Sequence, residues 1–135
     1  GSEMCIRDRV YESYGSRKLI HNMLRAYISP SMGEHSIDGI FTSSDHLAMI
    51  VQEELEEMGK RVPEDIQIIG YDGLQFLNQG KPIVSSIAQP VHEIAKEAVR
   101  CLNELIANGK TEGNTKIPVS FQEGPTTKTL VTEEK

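Results

Sequence analysis

The stretch from Ile37 to Gly73, IDGIFTSSDHLAMIVQEELEEMGKRVPEDIQIIGYDG, constrains the fold more than any other part of the chain. Ile37–Thr42 is a short apolar run bounded by polar residues, the pattern of a buried parallel strand. Asp45 stands at the position of a helix N-cap, where its carboxylate can accept from the free N–H groups of the first turn, with Ser43 and Ser44 as turn residues. Leu47, Ala48, Val51, Leu55 and Met58 then recur at helical spacing, and Gln52, Glu53, Glu56 and Glu57 take the opposite face. Gly59 ends the helix as a left-handed cap, Pro63 blocks its return, and Ile66–Tyr71 is a second strand closed by Asp72-Gly73. Strand, helix and strand in this order make a right-handed crossover within one parallel sheet. The carboxyl ends of the two strands, Thr42–Asp45 and Tyr71–Gly73, therefore open on one edge, where doubly wound α/β folds bind ligands.

The flanking sequence extends the same architecture. A helix is expected from about Gly15 to Ile28, with Leu19, Ile20, Met23, Leu24 and Tyr27 on one face, followed by a loop over Ser29–Ser36. Leu74–Gly80 reads as a short helical turn or loop, and Ile83–Gln89 as a strand. Val91–Asn108 is the cleanest helix: Val91, Ile94, Ala95, Ala98, Val99, Leu102, Leu105 and Ile106 form one apolar stripe, and Gly109 caps it. Ile117–Gln122 alternates as a strand that Pro118 confines to an edge or a strand start. Gly1–Arg9 has no periodicity and is expected to be a non-native or disordered leader. Residues 10–123 then form the domain, and Gly124–Lys135 is a polar tail expected to fray.

With 135 residues the chain suits a single domain with its own core. A net charge of −6 argues against direct binding of nucleic acid by this segment. Cys5 and Cys101 lie far apart, which points to a reducing compartment rather than a disulfide framework. No apolar run is long enough to cross a membrane, so none is expected as a partner. His21, His35, His46 and His92 have no metal-ligand spacing, and no phosphate-binding loop, nucleophile elbow or dinucleotide glycine motif occurs. No cofactor, metal or catalytic residue is therefore expected.

The segments DGIFTSSD, GKRVPEDIQIIGYDG and SSIAQP, in this order, resemble the effector-binding core of the lactose-repressor family of bacterial transcription regulators. The resemblance covers roughly Tyr11 to Gln122. It implies part of a periplasmic-binding-protein-like type I domain, mainly its second subdomain, and a sugar or sugar phosphate as effector. In the family the "YD" aspartate contacts the effector, and here it is Asp72; a strand-end carboxylate can accept from two adjacent hydroxyls at once. Ser44 matches a position often held by asparagine, and Asp45 matches the family's acidic position. Gly73 replaces a commoner second aspartate, and Ser85 and Ser86 replace two threonines. Tyr71 is expected under the site, Phe76 as a wall, and Tyr11 as the aromatic that packs on the ligand. The helix after the polar cluster lies at the family's subunit interface, so Met49, Ile50 and Glu53, off the core face, are candidates for a homodimer contact. Operator DNA would be read only through an N-terminal domain missing here, in the cytoplasm. Within the family, "IAQPVHEIAKEAV" and "IPVSFQEG" look most similar to sucrose-operon regulators.

Two other classes share these residues. A periplasmic sugar-binding protein of a transporter has the same fold, and an enzyme could use Asp45 and Asp72 as metal-binding or phospho-acceptor carboxylates; the VPEDI-to-YDG run favours the regulators. In the family the helix after "QP" covers a first subdomain that this sequence lacks. Its stripe is thus expected to drive association between copies rather than to fold back on Ile37–Tyr71.

Overall fold

The computed structural model describes residues 16–28, 37–73, 77–78, 81–111 and 114–129. They fall in two units, Gly1–Ser36 and Ile37–Lys135. In the first, helix α1 spans Arg17–Ile28, with Ile20, Leu24 and Ile28 buried at the four-residue spacing that shares one helix face. Leu19, expected on that face, is exposed.

The second unit runs β1 (Gly39–Phe41), α2 (Asp45–Glu57), β2 (Gln67–Asp72), β3 (Leu77–Asn78), β4 (Lys81–Pro82), β5 (Ser85–Ala88), α3 (Val91–Asn108) and β6 (Ser120–Gln122). Four strands form one sheet in the order β1-β2-β5-β6. β1, β2 and β5 are parallel, with Ile40 opposite Ile68 and Gly70 opposite Ser86. β6 runs antiparallel to β5, with Ile87 opposite Phe121. Parallel neighbours cannot be joined by a tight turn, and α2 supplies the crossover between β1 and β2. It lies against β2. Ala48, Val51 and Leu55 of α2, with Ile66, Ile68 and Val84, make the apolar core of this α/β unit. Between α2 and β2, the Arg61 backbone and guanidinium donate to the Asp65 carboxylate, with a closest ion-pair distance of 2.7 Å. The guanidinium holds the Asp65 carboxyl down to about 2.

Two expectations are corrected. Leu77–Asn78 and Lys81–Pro82 pair antiparallel as a small hairpin, where a helical turn or loop was expected over Leu74–Gly80. The polar segment from Gly124 does not fray over Gly124–Thr129. Thr126 is fully buried, its carbonyl accepting from Ile68 N at 2.9 Å and its hydroxyl donating to Ile68 O at 2.7 Å. The same hydroxyl accepts from Ser85 N at 2.8 Å. Thr126 thus serves both β2 and β5 at the amino end of their pairing. Ser85 adds a second hold, donating to Gly124 O and accepting from Gly124 N, both at 2.9 Å.

α3 has the expected bounds and ends at Gly109, whose N–H donates to Leu105 O at 2.9 Å. Arg100 pairs with Glu97 and Glu104 on its surface. The Thr115 and Thr111 hydroxyls donate to Glu97 and Glu104, tying the following loop to the helix. Arg100, with Thr115, holds the Glu97 carboxyl down to about 2. The apolar side is another matter: α3 buries none of its residues, and Leu102 and Ile106 are 56% and 76% exposed. The helix therefore does not fold back onto the sheet of its own unit. Burial of each such side chain is worth about 1.5–3 kcal/mol, so a face of this kind favours a partner that covers it. Leu102→Glu combined with Ile106→Glu is expected to reduce both apolar-dye binding and light-scattering mass without loss of helical circular dichroism. Unchanged dye binding would locate the sticky surface elsewhere.

Candidate functional site

Because β1, β2 and β5 are parallel, their carboxyl ends bring Thr42, Asp72–Gly73 and Ala88–Gln89 to one edge of the sheet. Thr42 is buried there. Its N–H donates to Ile69 O at 2.9 Å and its hydroxyl to Ser44 O at 2.9 Å, which shapes the turn into α2. Ser44, not Asp45, is the N-cap. Its backbone is extended and its Oγ accepts from Leu47 N at 3.2 Å. Asp45 is already the first residue of the helix.

Asp45 goes inward instead. It is 3% exposed, and its Oδ1 accepts from Ser86 Oγ at 2.5 Å. The carboxylate can lie over β2 because residue 70 is glycine; a Cβ there would overlap Asp45 Oδ1. Expected to face the ligand, Asp45 lies beneath the edge. The Ser86 hydroxyl, its single proton given to Asp45, accepts from Gly73 N at 3.1 Å.

Asp72 and Gly73 close β2 with φ of 110° and 65°. Glycine takes such a value freely, and here it is also needed for space, since a Cβ on Gly73 would meet Ala88. For aspartate the conformation is strained. Gln89 holds it from two sides: its N–H donates to Asp72 O at 3.1 Å and its Nε2 to Asp72 Oδ1 at 2.7 Å. Asp72 Oδ2 and Gln89 Oε1 have no hydrogen-bond partner among the described residues. The edge thus offers two acceptors side by side, suited to hydroxyl donors. Tyr71, half-buried, meets the exposed Phe41 edge-on, with ring centroids 6.3 Å apart.

Residues 4–127 match the periplasmic binding protein-like domain. The chain belongs to that family. Within it, the proteins this chain resembles include operon repressors and LacI-family transcriptional regulators. It is 44% identical over 69 residues to the ribose operon repressor of Bacillus subtilis (strain 168), covering 51% of this chain and 21% of that protein. It is 31% identical over 99 residues to the sucrose operon repressor of Pediococcus pentosaceus, covering 72% of this chain and 30% of that protein. A solved LacI-family transcriptional regulator from Enterococcus faecium with bound ribose superposes with a TM-score of 0.61 at 30% identity, covering 84% of this chain and 41% of that one.

Of the residues expected at the ligand edge of this domain, Asp72, Gly73, Tyr71 and Ser44 lie on the loops and strand ends just described. Tyr11 and Phe76 lie outside the described residues. Met49 and Ile50 are half-buried and Glu53 is exposed on α2. Sequence reasoning assigned no role at the edge to Ser86, Gln89 or Phe41. A signal for two of them was present: adjacent serines inside a strand pattern, and a glutamine immediately before the proline that opens α3, are polar residues where apolar ones would pack. Among the described residues, every buried side-chain polar atom has a hydrogen-bond partner, and no cluster of three His, Cys, Asp or Glu side chains could hold a metal ion.

The strain at Asp72 has a measurable consequence. Asp72→Gly is expected to unfold at or above the temperature of the unmodified protein, because relief of about 1–3 kcal/mol of backbone strain offsets the lost Gln89 bond. Asp72→Val, branched at Cβ in the same conformation, should unfold well below it. Equal melting temperatures for the two variants would show that residue 72 carries no strain.

Proposed function

We propose that this chain is the sugar-effector-binding and dimerisation portion of a lactose-repressor-type transcription regulator, with its ligand edge at the carboxyl ends of β1, β2 and β5. The observation that carries this reading is Asp72, a carboxylate held at a strand end in a strained conformation with one oxygen left unpaired among the described residues. In this reading Asp72 accepts from adjacent sugar hydroxyls, and Gln89 Oε1 offers a neighbouring acceptor. Ser44, Tyr71 and Gly73 border the same space; Tyr11 and Phe76, outside the described residues, are candidates from the sequence resemblance alone. Two neighbouring acceptors suit hydroxyl donors, which both a sugar and a sugar phosphate carry. The relatives named for ribose and sucrose operons, and the solved relative with bound ribose, support that class. The domain works by binding rather than by catalysis, in the cytoplasm, and operator DNA is contacted through a separate N-terminal domain. No helix among the described residues is long and apolar enough to cross a membrane.

Calorimetry with ribose and sucrose on the product of the intact reading frame tests the site. Asp72→Ala is expected to cost about 1.5–3 kcal/mol of binding, the range for a hydrogen bond to a charged group. Unaltered affinity would remove Asp72 from the site. The subunit contact is assigned to the α2 face carrying Met49, Ile50 and Glu53. Met49→Asp should convert the dimer to monomers in sedimentation velocity, whereas an intact dimer would move the interface to another surface.

A further inference from the structure

A strand that ends on two consecutive residues of positive φ does not hold that shape unaided. Gln89 restrains Asp72 through its carbonyl and its carboxylate. Among the described residues, one side chain restrains Gly73: the Ser86 hydroxyl, which accepts its N–H at 3.1 Å. A serine hydroxyl has one proton and can rotate, so by itself it would not present a lone pair in a fixed direction. Here the buried Asp45 carboxylate takes the proton at 2.5 Å and leaves the lone pairs for Gly73. Ser86 is 2% exposed and Asp45 3%, so no bulk water competes for either bond. The missing Cβ of Gly70 is what admits the carboxylate to this position. Residues 45, 73 and 86, from the first turn of α2, the end of β2 and the middle of β5, thus form one directed chain of donors and acceptors.

We propose that Ser86 is a positioning residue for the ligand edge. Oriented by Asp45, it fixes the Gly73 peptide and so holds the Asp72 carboxylate in the direction from which it meets a ligand. Asp45 acts through Ser86 and does not itself touch the ligand. The last step rests on the sugar-binding reading given above; the restraint on Gly73 does not.

The test is amide hydrogen exchange on the product of the intact reading frame, read at Gly73 and, as an internal control, at Thr42, whose N–H donates to Ile69 O in the same edge. In the unmodified protein the Gly73 amide should be strongly protected. Exchange at the free-peptide rate would overturn the proposal without any variant being made. In Ser86→Ala the Gly73 amide should exchange about tenfold faster or more, the loss expected of one hydrogen bond, while Thr42 keeps its protection. A merely structural serine would instead accelerate both amides together through lowered global stability, and that result would overturn the proposal. Ser86→Thr keeps the hydroxyl and should restore Gly73 protection; failure to restore it counts against the proposal. Ribose calorimetry on the same variants should show affinity lost in Ser86→Ala and recovered in Ser86→Thr. Absence of ribose binding by the unmodified protein would count against ribose as the sugar and leave the Gly73 result to decide the positioning role.

Discussion

A buried carboxylate must be given a donor, and the way Asp45 obtains one organises the edge of this sheet. Burying an unpaired carboxylate would cost far more than any single contact in the domain returns. The donor is a side chain 41 residues away, Ser86, on a strand that β2 separates from β1 in the sheet. The bond therefore forms only when β1, α2, β2 and β5 are all in place. It makes the start of α2 and the middle of β5 depend on one another, and Gly70 is the space through which they meet.

Two adjacent serines divide the work on β5. Ser86 faces α2 and serves the carboxyl end, where Asp72 and Gly73 are strained. Ser85, on the other side of the strand, binds Gly124, and its backbone binds Thr126. Thr126 in turn substitutes for a strand neighbour of Ile68, at the point where β2 extends beyond β5. Such polar residues in a core are tolerable only when fully paired, and here each of them is. The cost of desolvating them is offset by bonds that no alternative strand alignment would satisfy, so they specify one sheet as well as stabilise it.

The apolar pattern and the polar pattern point in different directions. α2 buries its stripe against β2 and gains a core; α3 has the stronger stripe and buries none of it. The difference is not one of sequence quality. Periodicity announces that a face wants a partner, but the partner is set by where the chain goes next. After α3 the chain returns along β5 as β6, leaving Leu102 and Ile106 exposed. The carboxyl edge of the sheet and this uncovered helix thus lie on one chain, which spans 41% of a solved LacI-family regulator with bound ribose.

Much of this was legible in the residues. The strand–helix–strand order of Ile37–Gly73, the bounds of Val91–Asn108, the left-handed turns at Gly59 and Gly109, and the convergence of Thr42–Asp45 with Tyr71–Gly73 all follow from local spacing and from the right-handed crossover rule. What the sequence could not decide was which of two neighbouring polar residues caps α2. Ser44 and Asp45 are both good caps, and the choice fell to Ser44 because a distant hydroxyl claimed the carboxylate. Nor could it reveal that Thr126, in a segment with the composition of a loose tail, is wholly buried by partners 41 and 58 residues away. Composition and periodicity report on the few residues within a turn of helix or a step of strand. A side-chain hydrogen bond between distant segments leaves no periodic trace, because it depends on the meeting of two backbones that only the folded sheet brings together.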